Sequence, residues 1–191
     1  MAMVFYLPSF AQSEYDQFLE IKEKIHSANT PEEHFYATME LCNEHVASLG
    51  FGMDNLPPFA QENADKAIAW GKEFGNNEQI ALARDLEFTI AFHKNNNLYE
   101  KYLLANLAHE YVEYLPSLRR DFYYQRMVKM HLHNARYQDL LDITQEMYSF
   151  RFEVGMPMDS AKYYGDLGIM YMDLNNFHQS LSNFQNSARV F

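Results

Sequence analysis

From Ser13 onward, apolar side chains recur every three or four positions with charged and amide residues between them, and only short polar stops interrupt the pattern. That is the period of helices that bury one face. The stops are Gly75-Asn76, Asn95-Asn96-Asn97, Pro116, Asn134-Ala135-Arg136, Gly155-Met156-Pro157 and Asn175-Asn176, all built from residues that end or start helices. They delimit predicted helices at 58–74, 77–94, 98–115, 118–133, 137–153, 158–174 and 177–191. Upstream, Thr30-Pro31-Glu32-Glu33 offers an N-cap hydroxyl, a proline suited to a first turn and a glutamate spaced to close a capping box. A helix therefore starts there and is expected to run to Ser48. The amphipathic segment 13–28 brings the number to roughly nine, and the one long loop is Gly50-Phe51-Gly52 with Asn55-Leu56-Pro57-Pro58.

The turns NNNLYEKY, NARYQDLL and LNNFHQSL each set an Asn-containing break just before Leu98, Tyr137 and Phe177, which lie 39 and 40 residues apart. Such a period is expected of stacked helix hairpins, because one hairpin cannot bury its own apolar face. The expected hairpins are 31–74, 77–115, 118–153 and 158–191, within a single domain of residues 13–191. In the last, Tyr164, Leu167, Gly168 and Tyr171 follow aromatic-x2-Leu-Gly-x2-Tyr, and Ser180, Phe184 and Ser187 follow small-x3-aromatic-x2-small. This resembles the tetratricopeptide repeat. The resemblance implies an all-α fold, a right-handed α-solenoid of stacked antiparallel hairpins with repeats of about 40 residues. Gly168 and Ser180 are small where two helices must approach closely, and Tyr164, Tyr171 and Phe184 are large where space between repeats must be filled. Phe177, Leu181, Phe184, Ala188 and Phe191 form one helical stripe. Upstream the likeness thins: Tyr124, Met127, Val128 and His131 with Leu140, Thr144 and Met147 keep the size but not the signature Gly and Ala, and earlier still only Phe88, Phe92, Ala105 and Ala108 match.

Composition agrees with a packed helical protein, since 48% of the 191 residues are hydrophobic, 16% are aromatic, and only seven are Gly and six Pro. The net charge of −11, from 26 acidic against 15 basic side chains, leaves no basic stripe to neutralise a phosphate backbone. Nucleic acid is disfavoured as a partner, and so is an anionic membrane surface. No stretch reaches the ~18 apolar residues that a membrane span needs. The single cysteine, Cys42, cannot form an internal disulfide, so either redox compartment stays open.

Motifs for chemistry are incomplete. His109-Glu110-Tyr111-Val112-Glu113 begins like the zinc-protease HExxH and then has Glu113 where the second histidine belongs. Cys42 and His45 share a predicted helix face, but no second ligand pair exists at metal spacing. His131 and His133 point to different faces. Cys42 sits in register with Met39 and Val46 and reads as a core residue, and Asp139 with Asp142 reads as a solvated face. Only convergence of Cys42, His45 and His109 would revive a hydrolase or small-molecule binder. No enzyme, metal or cofactor is expected.

Binding by surface shape remains. The family groove is lined by the first helix of each hairpin, and the resemblance carries this onto Lys94, Gln125, Lys129, His133, Lys162 and Asp173. A weakly basic groove favours an acidic peptide or a terminal carboxylate. Met130, Met156, Met158, Met170 and Met172 read either as core or as an adaptable surface. Ser9 and Ala11 stand three and one residues before a cut behind apolar Val4–Leu7, so residues 1–12 read either as a signal-peptide remnant or as an N-terminal arm. The apolar register running out at Phe191 leads to the expectation that the native chain continues and that the C-terminal hairpin can pair with another copy. With a signal remnant, the whole resembles the exported, periplasmic repeat region of a bacterial sensor, which would bind a protein or peptide. With a packed arm, a cytoplasmic scaffold or chaperone adaptor is the alternative.

Overall fold

A computed structural model describes residues 19–42, 58–94, 97–156 and 159–190, apart from the side chain of Lys94. The N-terminal arm or signal segment at 1–12, the continuation of the second helix over 43–48, the loop at 50–57, Met158 and Phe191 lie outside the described residues. Among the described residues every regular element is helical and there is no strand, so the chain is all-α. Helix α1 covers residues 19–27. Helices α2 (Pro31–Glu40), α3 (Pro58–Phe74), α4 (Asn77–Lys94), α5 (Leu98–His109), α6 (Ser117–His133), α7 (Tyr137–Glu153), α8 (Ser160–Asp173) and α9 (Phe177–Val190) follow. The chain divides into two compact units, Met1–Leu115 and Pro116–Phe191.

In the first unit the capping box of α2 closes: the Glu33 N–H donates to Thr30 Oγ1 at 3.1 Å and the Thr30 N–H to Glu33 Oε2 at 3.3 Å. Asn76 and Gln79 repeat the device at the start of α4, with reciprocal bonds of 3.0 and 2.9 Å. Helix α3 buries Ala60, Ala64, Ala67 and Gly71 along one face and packs between α2 and α4. A Cβ on Gly71 would fall 2.8 Å from both the Ala83 Cβ and the Phe35 ring, so only glycine permits that approach. Sequence predicts a helix to 115, but α5 ends at His109 and Val112–Tyr114 tighten into a 3-10 turn. Pro116 excludes Leu115 from helical backbone and holds it extended (φ −70°, ψ 139°). The winding tightens just before it, with the Tyr114 N–H reaching the Tyr111 carbonyl at 3.0 Å.

In the second unit α6 packs on α7, α8 on α9, and α7 on α8. The two hairpin turns are the same object 40 residues apart. Ala135 (φ 52°) and Asn175 (φ 58°) take the left-handed conformation. The next N–H, of Arg136 or Asn176, then reaches back to the carbonyl of His131 (3.1 Å) or Tyr171 (2.8 Å), as a Schellman closure requires. The two hairpins are fastened differently. Between α6 and α7, Arg151 grips Asp121 through Nε at 2.5 Å and Nη2 at 3.0 Å, and Tyr124 meets the Phe150 ring at 5.9 Å. Between α8 and α9 the backbones come close. A Cβ on Gly168 would lie 2.7 Å from the Phe184 ring, and Ser180 Oγ donates to the Gly168 carbonyl at 2.8 Å and Ser187 Oγ to that of Ala161 at 2.7 Å.

An apolar cluster of Leu140, Leu141, Leu167 and Met170 joins α7 to α8, with Val128 of α6, Tyr137, Tyr163, Tyr171 and Leu174 packed against it. Tyr164 continues the aromatic row, its ring 5.2 Å from that of Tyr163.

Candidate docking face

On α6 the residues Leu118, Phe122, Gln125, Lys129 and Leu132 recur at helical spacing, and all are exposed. They share one face. On α8 the corresponding exposed residues are Lys162, Ile169, Met172 and Asp173. The 40-residue period pairs Phe122 with Lys162, Lys129 with Ile169, Leu132 with Met172 and His133 with Asp173. Each repeat thus contributes both apolar and ionic groups, and Val128 ties α6 into the cluster that contains Leu167 and Met170 of α8.

The exposed charged groups of this face are Lys129 of α6 and Lys162 and Asp173 of α8, whereas Asp121 of α6 is buried. That carboxylate is already bound by Arg151. Arg120 is pinned over the Phe150 ring at 4.5 Å and near the Tyr124 ring at 5.8 Å, a cation–π arrangement that fixes its position. Behind α8, Tyr148 and Tyr163 meet at 4.3 Å, with Arg151 over Tyr148 at 5.6 Å. Burial raises both phenol pKa values above the ordinary range. Asp166 is also raised by burial, against the opposing pull of Lys162 and a hydrogen bond from the Tyr148 hydroxyl. Burial lowers the pKa of His131 below the usual histidine value, opposed by Asp139, whose Oδ2 lies 3.9 Å from Nδ1.

Five of the residues selected for the groove lie on α6 and α8. Lys129, His133, Lys162 and Asp173 are exposed there, with His133 Nδ1 bonded to the Lys129 carbonyl at 2.7 Å. Gln125 is exposed too, but its amide donates to Asp121 Oδ2 at 2.7 Å, which makes it a strut for the Asp121–Arg151 pair. Lys94 closes α4 in the first unit, and its side chain lies outside the described residues. The exposed apolar residues Phe122, Leu132 and Ile169 were not selected from sequence, whereas Met172 was among the methionines read as either core or adaptable surface. Their signal was present, since they stand three or four positions from the selected ones and recur in part at 40 residues.

Cys42 is buried, His109 closes α5, and His45 lies outside the described residues. Asp139 is paired with Arg136 at 2.5 Å, and Asp142 accepts from Gln138 at 2.9 Å. His131 is buried and His133 exposed. Met130 and Met170 are core, whereas Met172 is exposed. Among the described residues no group of three or more His, Cys, Asp or Glu could hold a metal ion, and no helix is long and apolar enough to cross a membrane.

Compared with known families, curated proteins and solved structures, the chain matches none. The geometry of the face carries the functional argument.

Proposed function

We propose that the chain is a non-catalytic helical-repeat module, a right-handed solenoid of tetratricopeptide type, that binds a protein or peptide segment on the exposed face of α6 and α8. The observation that carries this reading is the recurrence, 40 residues apart, of exposed side chains on the first helix of each hairpin. Phe122, Ile169 and Met172 supply apolar surface for an anchor residue, and Met adapts to the shape of what it meets. Lys129 and Lys162 supply charge-assisted donors for carboxylates. The fitting ligand is an acidic segment with one or two apolar anchors, held by shape and charge. The interaction region of a longer signalling protein and a scaffold or chaperone adaptor would use such a face in the same way.

Display selection of random linear peptides against the whole chain tests the reading. Enrichment of acidic sequences with apolar anchors is expected, together with loss of binding in a Lys129→Glu, Lys162→Glu double variant that keeps its helical circular dichroism. No enrichment, or binding indifferent to those substitutions, would contradict it.

A further inference from the structure

Helix α9 is set with its polar side inward. The residues it buries are Ser180 and Asn183, and it meets α8 through the Ser180 and Ser187 hydroxyl bonds and through the edge of the Phe184 ring on Gly168. Phe177 and Leu181 are 65% and 59% exposed, and Phe184, beyond its edge on Gly168, and Ala188 are exposed as well. At about 100° per residue these four lie on one line, roughly a quarter turn from the buried side.

The preceding repeat shows what such a line is for. Forty residues earlier the same positions on α7 are Tyr137, Leu141, Thr144 and Tyr148. Leu141, Thr144 and Tyr148 are buried, and Tyr137 packs against the α7–α8 cluster. Another helix, α8, covers that line through Tyr163, Leu167 and Met170. In α9 the equivalent seam is built and, among the described residues, exposed.

From this we infer that the seam of α9 is a self-association surface whose occupant is α9 of a second copy of this chain, the two helices lying antiparallel across a two-fold axis. Three properties of the helix favour a second copy. The spacing of Phe177, Leu181, Phe184 and Ala188 is the four-three-four of a helix-pairing seam. A two-fold axis between Ser182 and Asn183 places Phe177 opposite Ala188 of the copy and Leu181 opposite Phe184, so large meets small at both ends and the pattern complements itself. Charge favours it too: in a chain of net charge −11, α9 contains no Asp or Glu, and its one formal charge, Arg189, faces the uncharged Asn176 of the copy. Two acidic molecules can meet here without apposing carboxylates. A single pair of short helices is a small interface, so the dimer is weak and concentration-dependent. The inference rests on the equivalence of the two hairpins and not on the peptide-binding face, which lies on other helices and can hold or fail separately.

Sedimentation velocity of the whole chain from micromolar to millimolar concentration is the test. The weight-average mass is expected to rise from 22.5 kDa toward twice that value. Leu181→Glu, and separately Phe177→Glu at the exposed start of the helix, should hold it at the monomer value. The same change at Phe152, 77% exposed on α7, should leave association intact. A wild-type mass that stays at the monomer value throughout overturns the inference, and so does association that survives both α9 substitutions.

Discussion

The hairpins α6–α7 and α8–α9 follow the same path, through the same left-handed turn, at an interval of 40 residues, yet they distribute their apolar groups in opposite ways. In the first, large side chains lie between the helices and toward the next repeat, and the Asp121–Arg151 pair locks the two helices together. In the second, glycine and serine let the helices approach closely, hydroxyls bond the neighbouring backbone, and Phe177, Leu181 and Val190 of α9 face solvent while Phe184 lays one ring edge on Gly168. Backbone path and packing chemistry are therefore separable in this chain. A repeat can keep its geometry while changing what holds it together, and the side freed by close packing becomes available for other contacts.

The largest test of that contrast uses one residue type at equivalent positions. Leu141 is 6% exposed and Leu181 is 59% exposed. Leu141→Ala should cost about 3 to 4 kcal/mol in urea denaturation, whereas Leu181→Ala in dilute solution should stay within about 0.5 kcal/mol of wild type. Next comes the ion pair. Asp121→Ala leaves a partly buried Arg151 without its carboxylate and should cost about 2 to 3 kcal/mol. The α8–α9 hairpin has Ala161 at the position matching Asp121, and no comparable lock is lost there.

Gly168→Ala should destabilise by about 1 to 2 kcal/mol, because the steric demand on Phe184 exceeds the gain in helix propensity. Ser180→Ala should cost about 1 kcal/mol by leaving the Gly168 carbonyl without its donor. The same thermal or urea titration reads both.

The smallest effect is the pH dependence that His131 gives the first hairpin, since the equivalent position of the second is Tyr171. The folded pKa of His131 lies below its ordinary value because burial disfavours the charged ring. As pH falls below about 6.5, the unfolded chain takes up the proton first. Stability from this group is complete above that pH and declines below it, by under about 1.4 kcal/mol per pH unit. Comparing urea midpoints at neutral and mildly acidic pH for wild type and His131→Leu isolates the contribution.

Much of the helical layout was legible because Pro, Gly and Asn mark where a helix can start or stop. The stretches 58–74, 77–94 and 137–153 coincide with α3, α4 and α7 for that reason. The end of α5 was not legible. Pro116 constrains only Leu115, and nothing in residues 110–114 announces a change from helical to tighter winding. Periodicity revealed that Phe177, Leu181, Phe184 and Ala188 share a line, but it cannot say which way a line faces. That was settled by Gly168, Ser180 and Ser187, whose small size makes the α8-facing side the one that fits. The exposed face of α6 and α8 was legible in part, as the register positions Lys129, His133, Lys162 and Asp173. The use of Gln125 as a strut for Asp121 depends on an arginine 30 residues away in sequence, Arg151, which no local pattern reveals.

The orientation of α9 decides which side of the last hairpin is free for other contacts. Nuclear Overhauser contacts in a dilute, isotope-labelled sample measure it directly. With Ser180 and Ser187 turned toward α8, contacts are expected from the Phe184 ring to the Gly168 α-protons and between the Tyr148 and Tyr163 rings, with none from the Leu181 methyls to α8. Leu181 methyl contacts to Leu167 or Tyr164 of the same molecule, with Ser180 turned to solvent, would contradict it.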